Sequence, residues 1–318
     1  LSYKYDEDAE ILNEIYHLTD QGERNLGLRY DLTVPFCKVV GLNKNLTLPF
    51  RRYEIGEVFR NGPVKMGRTR EFYQCDVDVV GIDNRYIEAE QILMAINTYS
   101  DLGIDVIVKY NNRKLMSGII RACGIENNLV DNVIGIIDKL EKVSRCELDQ
   151  MLKDIGIEDK IIDKLFDLFN KELDDYEKIN FDNIDDEILV LFNEGINELK
   201  ELNRYLCALG IDDCCKFVPT LARGLSIYTG VVFEFYDKLK RIGCAIGGGG
   251  RYNKIITNFM ANGMEYPACG LSFGLEPIFT ILKSMEQDRQ LIDIYMVPFG
   301  SENEKIEVLK LSDCLRKK

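Results

Sequence analysis

From Gln74 to Val79 the chain alternates Gln74, Asp76 and Asp78 with Cys75, Val77 and Val79. That is the two-residue period of a strand with one wet and one dry face. The preceding run, "LPFRRYEIGEVFR", reads as a second strand. A loop of about nine residues joins the two, which predicts an antiparallel hairpin. The loop gathers Lys65, Arg68 and Arg70, with no acid until Glu71. Ahead of it, "LGLRYDLTVPFCKVV" predicts a strand, a turn at Pro35 and a helix-like apolar pattern. Behind it, "NRYIEAEQILMAINTYSDLGI" predicts a helix whose apolar face is Ile87, Ile92, Ala95, Ile96 and Tyr99, ending near Gly103. "DVIVKYN" predicts a further strand.

The period then changes. Between Arg113 and Cys207, segments such as "DKIIDKLFDLFNKEL" and "DDEILVLFNEGINELKELNRYL" space apolar residues as a helix does, with Asp, Glu and Lys between them and no proline. The spacing predicts an all-helical insertion whose charge covers a solvated face. Strand-rich sequence returns in "CCKFVPTLARGLSIYTGVVFEFYD", "RIGCAIGGGGRYNKII" and "YPACGLSFGLEPIFTILKSM". The last piece, "LIDIYMVPFGSENEKIEVLKLSDCLRKK", predicts one strand and one amphipathic helix, too little surface for a core of its own. We therefore expect four segments: 1–112, the first part of an α+β domain; 113–206, the insertion; 207–287, the second part; and 288–318, the opening of another domain. The start at Leu1 and the stop after one βα unit lead us to expect that both ends are incomplete.

Composition narrows the chemistry. The 318 residues are 46% hydrophobic and 29% charged, with formal net charge −13. Such a balance disfavours nucleic-acid binding through the whole surface while leaving room for a local basic site. No apolar run is long enough to cross a bilayer, and the acidic first residues do not read as a signal sequence. The ten cysteines form no C-x-x-C pair, and Cys214 and Cys215 are adjacent, so all are expected as reduced thiols in a cytosolic protein. No metal ligand set is expected. A single histidine, His17, stands in a polar context and reads as a surface residue, which leaves triad chemistry without a base.

Four constellations remain. On the hairpin, Gln74 and Asp78 share a face and Arg60 ends the partner strand, so anion donors lie at one end and cation acceptors at the other. Taken alone, an ordinary cross-strand ion-pair ladder is the favoured reading. Asp31 and Thr33, two apart, are expected on one strand face. Arg223 interrupts an apolar strand pattern, with Tyr228 five residues on. A buried arginine needs an anion, either a ligand or a carboxylate such as Glu234. "AIGGGGRYN" places Gly247–Gly250 after a strand and before a helix-like run, exposing backbone N–H groups or merely forming a turn. It matches neither a dinucleotide fingerprint nor a P-loop.

The order of these stretches, "FR…GR.REFYQCDVDVVG", "LARGL..YTGVVFE", "GGGRYN" and "ACGLSFGLE", resembles the histidyl-tRNA synthetases of the class II aminoacyl-tRNA synthetases. "LRYDLTVPF" and "REFYQCD" are especially similar. The resemblance covers about residues 1–110 and 206–318, with an insertion between. It implies a class II catalytic domain, a mostly antiparallel sheet flanked by helices, followed by the start of an α/β anticodon-binding domain. It also implies ATP-dependent activation of L-histidine and transfer to tRNA(His), with Mg²⁺ accompanying ATP, in a cytoplasmic homodimer. By that resemblance Arg60 and Arg223 hold the α-phosphate and are the catalytic pair. Arg68 reaches the outer phosphates and Phe72 stacks on adenine. Asp31, Thr33 and Gln74 hold the α-ammonium, and Asp78 and Tyr228 read the imidazole. Arg223 also meets the substrate carboxylate, and Gly248 and Gly249 line the pocket.

Two positions depart from the family pattern. Ile227 stands where an aromatic residue is usual, and Pro277 where an arginine usually clamps the triphosphate. Both suit an alternative, a non-catalytic histidine-sensing regulatory paralogue of a histidine-biosynthesis enzyme. Retention of Arg60, Arg68, Phe72 and Arg223 together opposes it, since a sensor needs no phosphate clamp.

Overall fold

The wet-and-dry alternation of the hairpin extends across a seven-stranded sheet. The computed structural model describes residues 13–43, 45–64, 69–140, 142–181, 184–222, 227–260, 264–285 and 294–317. A small two-stranded ribbon, β1 (His17–Thr19) and β2 (Asn25–Gly27), comes first. The main sheet contains β3 (Phe50–Phe59), β4 (Glu71–Val80), β5 (Val106–Asn112), β6 (Cys215–Phe217), β7 (Val231–Asp237), β8 (Gly247–Arg251) and β9 (Ala268–Gly274). Their spatial order is β3-β4-β9-β8-β7-β5-β6, and every pairing is antiparallel except β5 with β6.

Register explains the chemistry of its two faces. One continuous row pairs Glu54 with Asp76, Ser272, Gly248, Glu234 and Lys109. A neighbouring row pairs Arg52 with Asp78, Gly270, Gly250, Val232 and Asn111. Paired residues point the same way, so polar side chains from five strands collect on one face. The reverse face carries Val79, Leu271, Phe273, Phe233 and Phe235, all buried. Helix α1 (Thr33–Leu42) packs against α9 (Asn253–Met260), and α2 (Tyr86–Asp101) lies on the apolar face. There Tyr99 rests against Phe235 at 5.5 Å and Phe273 at 5.4 Å between ring centroids, and donates to the Ile246 carbonyl at 2.9 Å.

The glycine run, expected as a loop, is the central strand β8. A β-carbon on Gly249 would collide with the Gly270 carbonyl, and one on Gly247 with the Tyr99 hydroxyl. The glycines therefore let neighbouring strands and α2 approach a strand that has no side chains to bury. Gly249→Ala is expected to lower the melting temperature by several degrees, since overpacking a core costs about 1–3 kcal/mol. A thermal melt by circular dichroism checks this, and an unchanged melt would contradict it.

Two other expectations change. Asp31 and Thr33 do not share a strand face: Thr33 begins α1, and Asp31 Oδ1 accepts from the Val34 N–H at 2.9 Å. Pro35 makes no turn. It occupies the first helical turn, where its missing N–H has no intrahelical acceptor to lose. The strand expected near Ile294–Phe299 is not formed among the described residues, which offer it no partner; Tyr295 and Phe299 are 80% and 89% exposed. A strand needs a neighbour for its backbone groups.

Residues between Arg113 and Ala208 carry α3 (Arg113–Ala122), α4 (Val130–Ile137), α5 (Arg145–Asp154), α6 (Asp159–Phe169), α7 (Leu173–Tyr176) and α8 (Asp186–Ala208). Glycines set the closest crossing: Gly118 faces the Phe192 backbone and Gly195 faces the Leu115 N–H. These helices belong to the same compact unit as the sheet, Leu1–Ile281. The second unit, Leu282–Lys318, contains the end of α10 (Leu275–Met285) and α11 (Glu302–Arg316), whose N-terminus is a Ser301–Glu304 capping box.

Candidate functional site

The polar face of the sheet floors a cavity of about 850 Å³. Strands β4, β9, β8 and β7 deliver its floor, the start of α1 and the segment before it one wall, and Ile227, Tyr228 and the end of α4 the rim. Its ends are chemically opposite. At one end the Arg60 N–H bonds to the Arg70 carbonyl at 2.8 Å, prolonging the hairpin ladder. The Arg60 guanidinium lies over Tyr30 at 4.4 Å and Phe72 at 5.0 Å, and its Nε donates to the Tyr30 carbonyl at 3.2 Å. Aromatic faces and one carbonyl hold the group without neutralising it, so its charge is available to an anion.

At the other end lies Asp78, only 3% exposed. The Tyr252 hydroxyl donates to its Oδ1, and Arg52 sits 2.8 Å from its Oδ2. Arg52 also pairs with Glu54, donates to the Leu32 carbonyl at 3.2 Å and stacks over Phe36 at 4.1 Å. Burial pushes the Asp78 carboxyl up to about 6, against the pull of Arg52 and of the Tyr252 hydrogen bond. Burial, then the Asp78 charge, pushes Asp76 up to about 7, opposed by a Ser272 hydrogen bond. The Tyr252 phenol is also raised, by burial and by Asp78. Among the described residues acids thus outnumber arginine at this end, which suits a ligand with cationic or N–H groups.

Of the residues expected from sequence, Asp31, Thr33, Arg60, Phe72, Gln74, Asp78, Tyr228 and Gly248 all line this cavity. Gly249 lies in the same strand, but its α-carbon faces the packed side. Arg68 and Arg223 lie outside the described residues. His17 is exposed on β1, and all ten cysteines are reduced thiols. Among the described residues no cluster of three His, Cys, Asp or Glu could hold a metal ion.

Three contributors escaped sequence reasoning: Arg52, Asp76 and Tyr252. A signal for Asp76 was present, because the period of two that aligns Gln74 with Asp78 passes through it. Arg52 becomes visible only once the register sets it opposite Asp78. Tyr252 follows a glycine strand whose place beside β9 no local pattern foretold. The departures are also accounted for locally. Ile227 is buried with Phe36, Val40 and Tyr252, and Tyr228 packs against that cluster. Pro277 occupies the first turn of α10 and lines the cavity, while Glu276 accepts from the Tyr73 N–H at 3.0 Å.

Comparison with known proteins gives one consistent answer. The family model described as histidyl-tRNA synthetase matches residues 3–278. The chain is 45% identical over 317 residues to histidine–tRNA ligase 1 of Bacillus cereus, covering 99% of this chain and 73% of that protein. It is 42% identical to histidine–tRNA ligase 2 of Shouchella clausii, covering 97% and 72%. The crystal structure of histidyl-tRNA synthetase from Nostoc sp. superposes with a TM-score of 0.72 at 27% identity, covering 98% of this chain and 74% of that one.

Proposed function

The chain belongs to the histidyl-tRNA synthetase family, and on that premise we infer that it activates L-histidine with ATP and transfers the histidyl group to tRNA(His). The fold is the class II synthetase catalytic domain. The observation carrying the residue assignment is the polarity of one cavity, with an arginine held between aromatic faces at one end and a buried aspartate at the other.

In the activation step a carboxylate oxygen of histidine bonds to the α-phosphorus of ATP and pyrophosphate leaves, giving histidyl-adenylate. The carboxylate is already ionised at neutral pH, so the step needs no general base. It needs alignment and positive charge where the phosphorus gains negative charge. Arg60 supplies that charge beneath the α-phosphate, Phe72 offers its ring to adenine, and Arg223 and Arg68 are assigned to the phosphates by family resemblance. Asp31, Thr33 and Gln74 take the α-ammonium. Neutral imidazole carries one donor and one acceptor nitrogen. Asp78 accepts from the first and Tyr228 donates to the second, while Gly248 leaves room above the sheet. Tyr252 and Arg52 occupy one direction on each Asp78 oxygen and hold the carboxylate still, leaving lone pairs for substrate.

Mg²⁺ accompanies the triphosphate in this reading. The described residues offer no ready protein cluster for it, so no step is assigned to it. We further propose a cytoplasmic homodimer, with 288–318 as the beginning of an anticodon-binding domain. No helix among the described residues is long and apolar enough to cross a membrane. The regulatory alternative is the less supported, because the relatives at 42–45% identity are named ligases.

Histidine-dependent exchange of labelled pyrophosphate into ATP tests the activity, and no exchange by the pure protein would favour the regulatory alternative. Arg60→Ala is expected to lower the exchange rate constant by about 10²–10³, the usual effect of removing one transition-state charge donor. Histidine affinity without ATP should stay within about threefold of wild type. Equal losses in both measurements would place Arg60 in the amino-acid subsite instead.

A further inference from the structure

Resting on the histidine-site reading above, we propose that Asp76 is a further substrate-binding residue. Its carboxylate and the Gln74 side-chain oxygen together seat the α-ammonium of the amino acid. Asp76 lies between Gln74 and Asp78 on the same face of β4, lines the cavity and is 3% exposed. The Gln74 amide nitrogen donates to Asp76 Oδ1 at 3.3 Å and to Ser272 Oγ at 3.2 Å. That geometry leaves Gln74 Oε1 buried with no partner among the described residues.

The surroundings say what is missing. Asp31 faces Asp76 from the segment before α1, Arg52 and Glu54 from β3, and Asp78 from β4 itself. Tyr252 approaches Asp78 from the end of β8. Arg52, the arginine that offsets these acids, is already committed to Glu54, Asp78 and the Leu32 carbonyl. Among the described residues no lysine or arginine lies within ion-pair distance of Asp76. A buried carboxylate beside a buried unpaired carbonyl is costly unless donors and positive charge arrive together. An ammonium brings both: three N–H donors and one charge. Asp78 lies two residues, about 7 Å, further along the strand. That spacing lets one carboxylate take the ammonium while the other takes the distal ring of the same molecule.

Free of substrate, this arrangement burdens the fold. Because Asp76 is raised to about 7, its folded form stays protonated at pH values where the unfolded carboxyl has ionised. Its contribution to stability is therefore present at low pH and is lost as pH rises through about 7.

The test titrates wild type and Asp76→Asn, without ATP, with L-histidine, L-histidinol and imidazolepropionate, the last lacking the ammonium. The substitution should weaken histidine and histidinol about 10–100-fold, as expected for a lost hydrogen bond to a charged group. Imidazolepropionate binding should be unchanged or tighter. Ligand-free Asp76→Asn should also melt above wild type by a margin that grows from pH 5 to pH 8, which establishes that the variant folds. Equal weakening of all three ligands, or of none, would overturn the proposal. Failure of wild type to bind histidine at all would instead remove the site reading on which the proposal stands.

Discussion

Asp78→Asn is expected to lower kcat/KM for histidine-dependent pyrophosphate exchange by about 10²–10³, or roughly 3–4 kcal/mol of transition-state stabilisation. The substitution preserves shape, so the loss measures charge and acceptor capacity. The Tyr252 hydroxyl and the Arg52 guanidinium both point at this carboxylate, and an amide cannot accept from both while also accepting an imidazole N–H. A site built to hydrogen-bond its substrate discriminates strongly, because its buried groups are stranded when the bond is missing. Most of the effect should fall on the histidine KM, with the ATP KM within about threefold. A folded variant with an unaltered histidine KM would show that the imidazole is read elsewhere.

Glu88→Gln is expected to cost about 3–5 kcal/mol of stability, the price of leaving a buried charge without its partner. Glu88 on α2 meets Arg251 at the end of β8 through two bonds, Oε1 to Nε at 2.7 Å and Oε2 to a terminal nitrogen at 2.8 Å. Both side chains are almost wholly buried, at 0% and 1% exposure. The guanidinium donates as well to Asp83 and to the carbonyls of Ile82 and Asn84. Neighbouring Arg85 carries the network on to Glu198 of α8, at 2.6 Å. Urea unfolding would show the midpoint fall, and replacing Arg251 and Glu88 together by methionine should recover much of the loss. A loss below about 1 kcal/mol in the single variant would mean that Asp83 and the carbonyls suffice for Arg251. Because Arg251 directly precedes Tyr252, the same substitution should also loosen the hold on Asp78.

How far the architecture could be read in advance depended on the range of the interaction concerned. The β3–β4 hairpin, helix α2 and the helical run from Arg113 to Ala208 follow from periodicity, because each buries a face defined within a few residues. The shared cavity face of Gln74 and Asp78 follows from the same alternation. The glycine run illustrates the limit. Four glycines are locally compatible with a loop, and their strand identity comes from Gly270, Tyr99 and Val231, which leave no room for β-carbons. Asp31 and Thr33 do line the cavity, but from a helix start where a strand face was expected.

Local spacing and motif order were thus enough for the family, the activity and many of the residues that line the cavity, because those are properties of short segments and their succession. Only the folded chain decided that Asp76 and Tyr252 join them, that Arg52 pairs with Asp78, that β8 is a bare strand beneath the cavity, and that Arg251 braces it from behind. Each of those facts depends on register and close approach between segments up to about 170 residues apart, and no local period encodes which distant backbone will lie alongside.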